Sequence, residues 1–216
     1  MTDNNTGQRA SGPTGQRGGP TGHLIAFEGL DQSGKQTQAE RLLAAFRSAG
    51  HGAEFLTFPE YTTAIGAEIG NALQGGRDYQ PDTLQLLYIA NRFEFRTRIA
   101  SWLTSGTMVI CDRYLASSIA YGEAQGVDPG WLSEIQRFLP QPSLTIFLDM
   151  SPAVSLTRKK ADRDKFERDM PLLGRVRESY QRQAQQPDWI RLDAEREKNA
   201  VSADVISAVR SRLGLL

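Results

Sequence analysis

The chain has 216 residues, its 25 Lys+Arg balance 25 Asp+Glu, and 39% of it is hydrophobic. That length suits one domain with an ordinary core. Zero net charge argues against sequence-independent nucleic-acid binding, which needs a basic surplus to displace counterions. One cysteine, Cys111, excludes a disulfide framework and a Cys-rich metal site, and two histidines, His23 and His51, argue against a His-based zinc centre. No apolar run reaches the ~18–20 residues of a membrane helix, and none precedes Leu24, where a signal peptide would need one. A soluble, cytoplasmic protein with no membrane partner is expected.

Residues 1–22 carry six Gly and two Pro, with only Met1 and Ala10 apolar. Such a segment buries too little surface to offset its ordering entropy, so the expectation is a flexible tail at 1–22 followed by a single domain over 23–216. Leu24-Ile25-Ala26-Phe27 is a short apolar run suited to a buried strand. Ala39, Leu42, Leu43 and Phe46 then fall at helical spacing, with Gly50 as a stop. Phe55–Phe58 reads as a second strand, about 81–103 as one long helix, and Met108–Cys111 as a third strand. Leu144–Leu148 and Trp189–Leu192 repeat the theme, and Val201, Val205, Val209 and Leu213 close the chain as a helix. Apolar strands alternating with helices predict an α/β fold, a parallel five-stranded sheet flanked by helices.

Glu28, Asp112, Asp149 and Asp193 each end one of these runs. In open α/β sheets ligands sit beyond the carboxyl ends of the strands, which would gather these acids at one edge. For Asp149 the expectation is a turn or capping role ahead of Ser151-Pro152; for Asp112 it is function.

Gly29-Leu30-Asp31-Gln32-Ser33-Gly34-Lys35-Gln36-Thr37 lies between the first strand and first helix. This is the setting of a P-loop, whose backbone N–H groups wrap phosphates beside a helix N-terminus. Lys35 is the only lysine before Lys159 in a chain with few lysines and many arginines; its role would be a compact charge on the outer phosphates. The residue after that lysine is ordinarily Ser or Thr, a magnesium ligand, and here it is Gln36. Metal binding is therefore expected to lean on Asp31 and Asp112.

Phe27 through Gln38 resembles the opening of the thymidylate kinase family. Phe58-Pro59-Glu60, Tyr88-Ile89-Ala90-Asn91-Arg92, and Asp112-Arg113-Tyr114 continuing to Ser117 and Tyr121-Gly122 follow in that family's order, over about 24–213. The resemblance implies a P-loop nucleoside monophosphate kinase fold that moves a phosphoryl group from ATP, with Mg2+, to the 5′-phosphate of dTMP. It also implies a homodimer joined through helices. The acceptor is already anionic and needs no general base, so catalysis rests on alignment and charge neutralisation. By the resemblance Arg92 and Arg113 clamp the acceptor, Tyr88 stacks on the base, Tyr121 crowds the sugar, and Glu60, Ser117 and Glu167 complete its site. The family often has Arg after Phe-Pro-Glu; Tyr61 stands here. The residues by themselves leave open another P-loop kinase acting on a deoxynucleoside or a different monophosphate, or a nucleotide sensor without turnover. They also leave open whether Leu84, Leu87, Ile99 and Leu103 form a dimer face or pack on the sheet.

Residues 158–169 are charged except at Ala161 and Phe166, a solvated helix end or a short charged lid. In one branch of the family the arginine that neutralises the transferring group lies in the P-loop, where this chain has Gln32. The lid is then its expected source, with Arg158 and Arg163 as candidates and Arg168 third.

Overall fold

The structure, a computed structural model, describes residues 22–158, 166 and 169–216. Its elements run β1 (Leu24–Glu28), α1 (Lys35–Ser48), β2 (Ala53–Thr57), α2 (Ala64–Leu73), α3 (Pro81–Phe93), α4 (Arg96–Thr104), β3 (Met108–Asp112), α5 (Leu115–Ala124), α6 (Pro129–Ile135), β4 (Leu144–Asp149), α7 (Pro152–Arg158), α8 (Met170–Gln183), β5 (Trp189–Asp193) and α9 (Lys198–Leu213). The strands form one sheet in the order β2-β3-β1-β4-β5, and all pairings are parallel. The five-stranded parallel sheet expected from the apolar runs is present.

Side chains alternate across a strand, and the alternation divides the core between the two faces. Ile25, Phe27, Ile110, Leu144, Ile146 and Leu148 point to the side covered by α1 and α9, against Leu42, Phe46, Val205 and Val209. Leu24, Ala26, Val109 and Cys111 point to the other side, which carries α4 and α5 through Ile99 and Leu115; Phe147 packs there on Val176 and Tyr180 of α8. Every residue of β1 is buried, as the central strand of a sheet covered on both faces requires. Glu28, last in β1 and in phase with Leu24 and Ala26, is thereby buried beneath α5 and α8.

Two local expectations are corrected. The stretch 81–103 is two helices rather than one. At the joint the Phe95 amide bonds back three residues to Arg92, tightening the turn. The Glu94 carboxylate turns away to accept from Thr63 and Asn91, while Phe95 packs edge-on against Phe58. Asp149 does not cap the following helix. It is 5% exposed and accepts Arg177 Nε at 2.7 Å and Arg191 Nε at 2.8 Å, tying α8 to β5. Burial pushes its carboxyl up, but the hydrogen bonds and charges of Arg177 and Arg191 outweigh that and lower it. The Ser151 amide at the start of α7 is taken instead by Glu195. Leu84 and Ile99 are buried within the chain, so they belong to its own core; Leu87 and Leu103 pack partly on it.

Phe46 has no exposed surface and meets His51 edge-on. Phe46→Ala is expected to cost about 3–5 kcal/mol of unfolding free energy, read as a lower urea midpoint at unchanged slope.

Candidate active site

The sheet order reverses direction around β1, since β2 and β3 lie on one side of it and β4 and β5 on the other. Ligands bind at such a switch point, beyond the carboxyl ends of the strands. Two adjoining cavities occupy that place, and Asp31 lines both.

The first surrounds the loop between β1 and α1 and is lined by Asp31 through Gln38, Asp112, Arg158 and Ala194. Gly29 has φ +142°, and a Cβ there would lie 2.5 Å from the Leu148 carbonyl; only glycine lets the loop press so closely on β4. Gly34, at φ +91°, precedes α1 without any side-chain cap, and the first turn of α1 contains no acid. Its free N–H groups and dipole favour an anion there. Lys35 is buried and donates to the Leu30 carbonyl at 2.8 Å. Burial lowers its pKa and nearby Arg113 adds to this, against the pull of Asp112, Asp31 and Glu28. Ser33 Oγ and one oxygen of Asp112 are buried there without a hydrogen-bond partner. Gln36 is exposed and donates to Glu40. Arg158 donates to the carbonyls of Gln32 at 3.2 Å and Ala194 at 3.0 Å, bridging the loop to the end of β5.

The second cavity is lined by Asp31, Tyr88, Arg92, Arg113, Ser117 and Tyr121, together with Phe58, Pro59, Tyr61, Leu73, Gln85, Ser118 and Phe166. Arg113 directly follows β3 and has φ +62°, a conformation that costs a non-glycine residue energy and is held by its surroundings. Its amide bonds to the Phe27 carbonyl. Its guanidinium donates to Asp31 Oδ1 at 2.6 Å, Ser117 Oγ at 3.2 Å, the Tyr180 hydroxyl at 3.3 Å and the Tyr121 hydroxyl at 3.4 Å. Behind it Glu28 accepts from the Tyr114 and Ser117 amides, from Ser117 Oγ at 2.6 Å and from the Tyr180 hydroxyl at 3.0 Å. Arg92 is 2% exposed, and its Nη1 donates to Ser118 Oγ at 2.7 Å.

Asn91 accepts from the Glu60 amide and donates to the Glu60 carbonyl and to Thr63. It thereby pins the Phe58–Thr63 segment over the cavity. The Glu60 carboxylate accepts from the Thr62 amide and hydroxyl, and Glu60 lines neither cavity.

A profile of thymidylate kinases matches residues 27–205. The chain belongs to the thymidylate kinase family. The thymidylate kinase of Schizosaccharomyces pombe is 34% identical over 193 residues, covering 87% of this chain and 91% of that protein. The human enzyme is 35% identical over 147 residues, covering 68% and 69%. The thymidylate kinase structure from Candida albicans superposes with a TM-score of 0.76 at 27% identity, covering 88% of this chain and 92% of that one.

Of the residues the sequence singled out, the structure gathers the loop from Asp31 to Thr37 with Asp112 and Arg158 around one cavity. Around the other it gathers Asp31, Tyr88, Arg92, Arg113, Ser117 and Tyr121. Arg163, Glu167 and Arg168 lie outside the described residues. Tyr180, Gln85 and Ser118 were missed. Tyr180 continues the apolar stripe of α8 after Leu173 and Val176 and reads as core, while Ser118 carried only its place in the block after Asp112-Arg113-Tyr114. No described residues form a cluster of three His, Cys, Asp or Glu side chains suited to a metal.

Burial pushes the Asp31 carboxyl up, but the charges of Arg113 and Lys35 and hydrogen bonds from Arg113 and Tyr121 prevail and hold it at about 2, below its ordinary 3.8. A depressed native pKa gives stability that is complete above the unfolded value and lost as pH falls through the native one. The stability difference between the wild type and Asp31→Asn is therefore expected to be level from about pH 5 to 8 and to shrink steadily below about pH 4. Denaturant titrations across that range measure it.

Proposed function

We propose that this chain transfers the γ-phosphoryl group of ATP to the 5′-phosphate of dTMP. The observation carrying this reading is that an anion cradle and an arginine-lined cavity meet at one shared carboxylate, Asp31. Two polyanions would then lie end to end between Lys35 and Arg113. Their mutual repulsion is the main obstacle to reaction, and fixed cations in a site shielded from water reduce it most effectively. Family membership supports dTMP as the acceptor.

In this reading the α1 N-terminus and the amides of Asp31 through Lys35 hold the β- and γ-phosphates. Lys35 exchanges the Leu30 carbonyl for a phosphate oxygen. Arg113, a planar fork already aimed by Asp31, Ser117 and Tyr180, grips the acceptor phosphate. Tyr88 lies on the base and Tyr121 beside the sugar. The family uses nucleotide with metal, and the residues here fit Mg2+ held mainly through water. Asp112 has a free buried oxygen, whereas both oxygens of Asp31 are taken by Arg113 and Tyr121. Asp112 would hold the metal through water, and the metal would supply charge neutralisation there. Arg158, fixed on two carbonyls, would hold the nucleotide loop, leaving the charge on the transferring group to Arg163 or Arg168. A homodimer and action in the cytoplasm belong to the same reading. Sedimentation should give twice the chain mass.

The test is magnesium-dependent ADP release on adding dTMP. Lys35→Ala is expected to lower kcat by about 10²–10³-fold, the usual loss when one preorganised charge partner of a transition state is removed. Equal turnover on other monophosphates, or none on dTMP, would refute the assignment.

A further inference from the structure

The acceptor cavity contains a buried amide that nothing in the protein satisfies. Gln85 lies on α3 with its side chain 1% exposed, and neither its Nε2 nor its Oε1 has a hydrogen-bond partner. Leaving both ends of a buried carboxamide unpaired is costly, and native proteins seldom tolerate it without cause. A Cβ on Gly122 of α5 would come within 3.2 Å of Gln85 Cγ, so this close helix contact seats the side chain. Arg92 follows seven residues later, two turns along the same face of α3. Side chains on a helix lean toward its N-terminus, which inclines Arg92 toward Gln85. Arg92 Nε is likewise buried and unpartnered.

The free groups of these two residues are a donor on Arg92 and an acceptor and a donor on Gln85. A thymine or uracil edge offers the complementary series, O4 acceptor, N3–H donor and O2 acceptor. Cytosine offers an amino group where O4 would be, opposing the Arg92 donor with another donor. We infer that Gln85 is a specificity-determining residue that reads the imide edge of the acceptor base, its Oε1 accepting N3–H and its Nε2 donating to O2. The assignment rests on the reading of the cavity as the dTMP site. The free protein carries the unpaired amide, and the correct base removes the penalty. Sites built to hydrogen-bond a substrate group discriminate strongly against analogues lacking it for the same reason.

The experiment compares wild type, Gln85→Leu and Gln85→Met as full-length protein with ATP, Mg2+ and either dTMP or its N3-methyl derivative. Both variants are expected to raise KM for dTMP about tenfold, the worth of one to two hydrogen bonds, with kcat held within about threefold. The preference for dTMP over the N3-methyl compound should shrink in both. Without ligand both should melt no lower than wild type, since an unpaired amide has been removed. Unchanged KM and unchanged base preference would overturn the role, and a lower melting temperature alongside them would mark the amide as structural. A measurement on unmutated protein covers the case of variants that do not fold. Exchange of the Gln85 side-chain amide protons, followed by NMR, should slow on adding dTMP, and exchange unaffected by dTMP would overturn the role. Wild type that turns over no dTMP would instead refute the proposed function.

Discussion

Holding cations together before any phosphate arrives is the constraint on which this site depends. Lys35, Arg92 and Arg113 are all largely withdrawn from water, where an unpaired charge is severely penalised. Arg113 is the best compensated. Burial works against its charge, but Asp31 in front, with the nearby Tyr121, Tyr180 and Asp112, drives its pKa well above the ordinary value. Lys35 and Arg92 are less well served. Burial lowers both pKa values despite neighbouring acids and phenols. An arriving phosphate would therefore gain most from Lys35 and a base carbonyl from Arg92, whereas Arg113 is held ready in a geometry that its positive φ and its four donor contacts over-determine.

That arrangement follows from topology more than from any single motif. Because β1 is central and the chain moves outward from it in both directions, the loops after β1 and β3 emerge side by side. The Arg113 amide bonds to Phe27, one residue before the end of β1, so Arg113 is placed by the backbone that launches the P-loop. Glu28 completes the link. It receives the first turn of α5 through two amides and α8 through Tyr180. One buried carboxylate thus joins a strand and two helices that the sequence separates by some 150 residues.

Sequence made this legible where local pattern and function coincide. Apolar runs of strand length gave the sheet, and the Gly29–Thr37 stretch between a strand and a helix gave the cradle. Where function used the spacing of a core helix, pattern was silent. Tyr180 and Gln85 sit at positions that read as ordinary stripe residues, and only tertiary placement shows one bonded to Glu28 and the other unsatisfied. Asp149 misled for a related reason. A Ser-Pro pair after a strand-end acid is a sound local signal for a helix start, but Arg177 and Arg191, far along the chain, claimed the carboxylate. The break after Phe93 had no Gly or Pro to announce it, because it is enforced by Phe58 and Thr63 across the cavity wall.

The distribution of unsatisfied polar atoms carries the same logic to the scale of the whole fold. Among the described residues, Ser33 Oγ and Asp112 Oδ1 face one cavity, and both ends of Gln85 with Arg92 Nε lie at the other; His23, Tyr114 and Gln136 supply the rest. Asn91, Gln38 and Glu28 show that this chain can satisfy buried polar groups thoroughly. Orphaned groups concentrated at two adjoining cavities are thus a cost in the free protein that bound molecules of matching polarity would remove. Stability given up in this way returns as binding that depends on the ligand's own donors and acceptors. On the proposed reading, such a site would select by chemistry at the base edge as well as by charge at the phosphates.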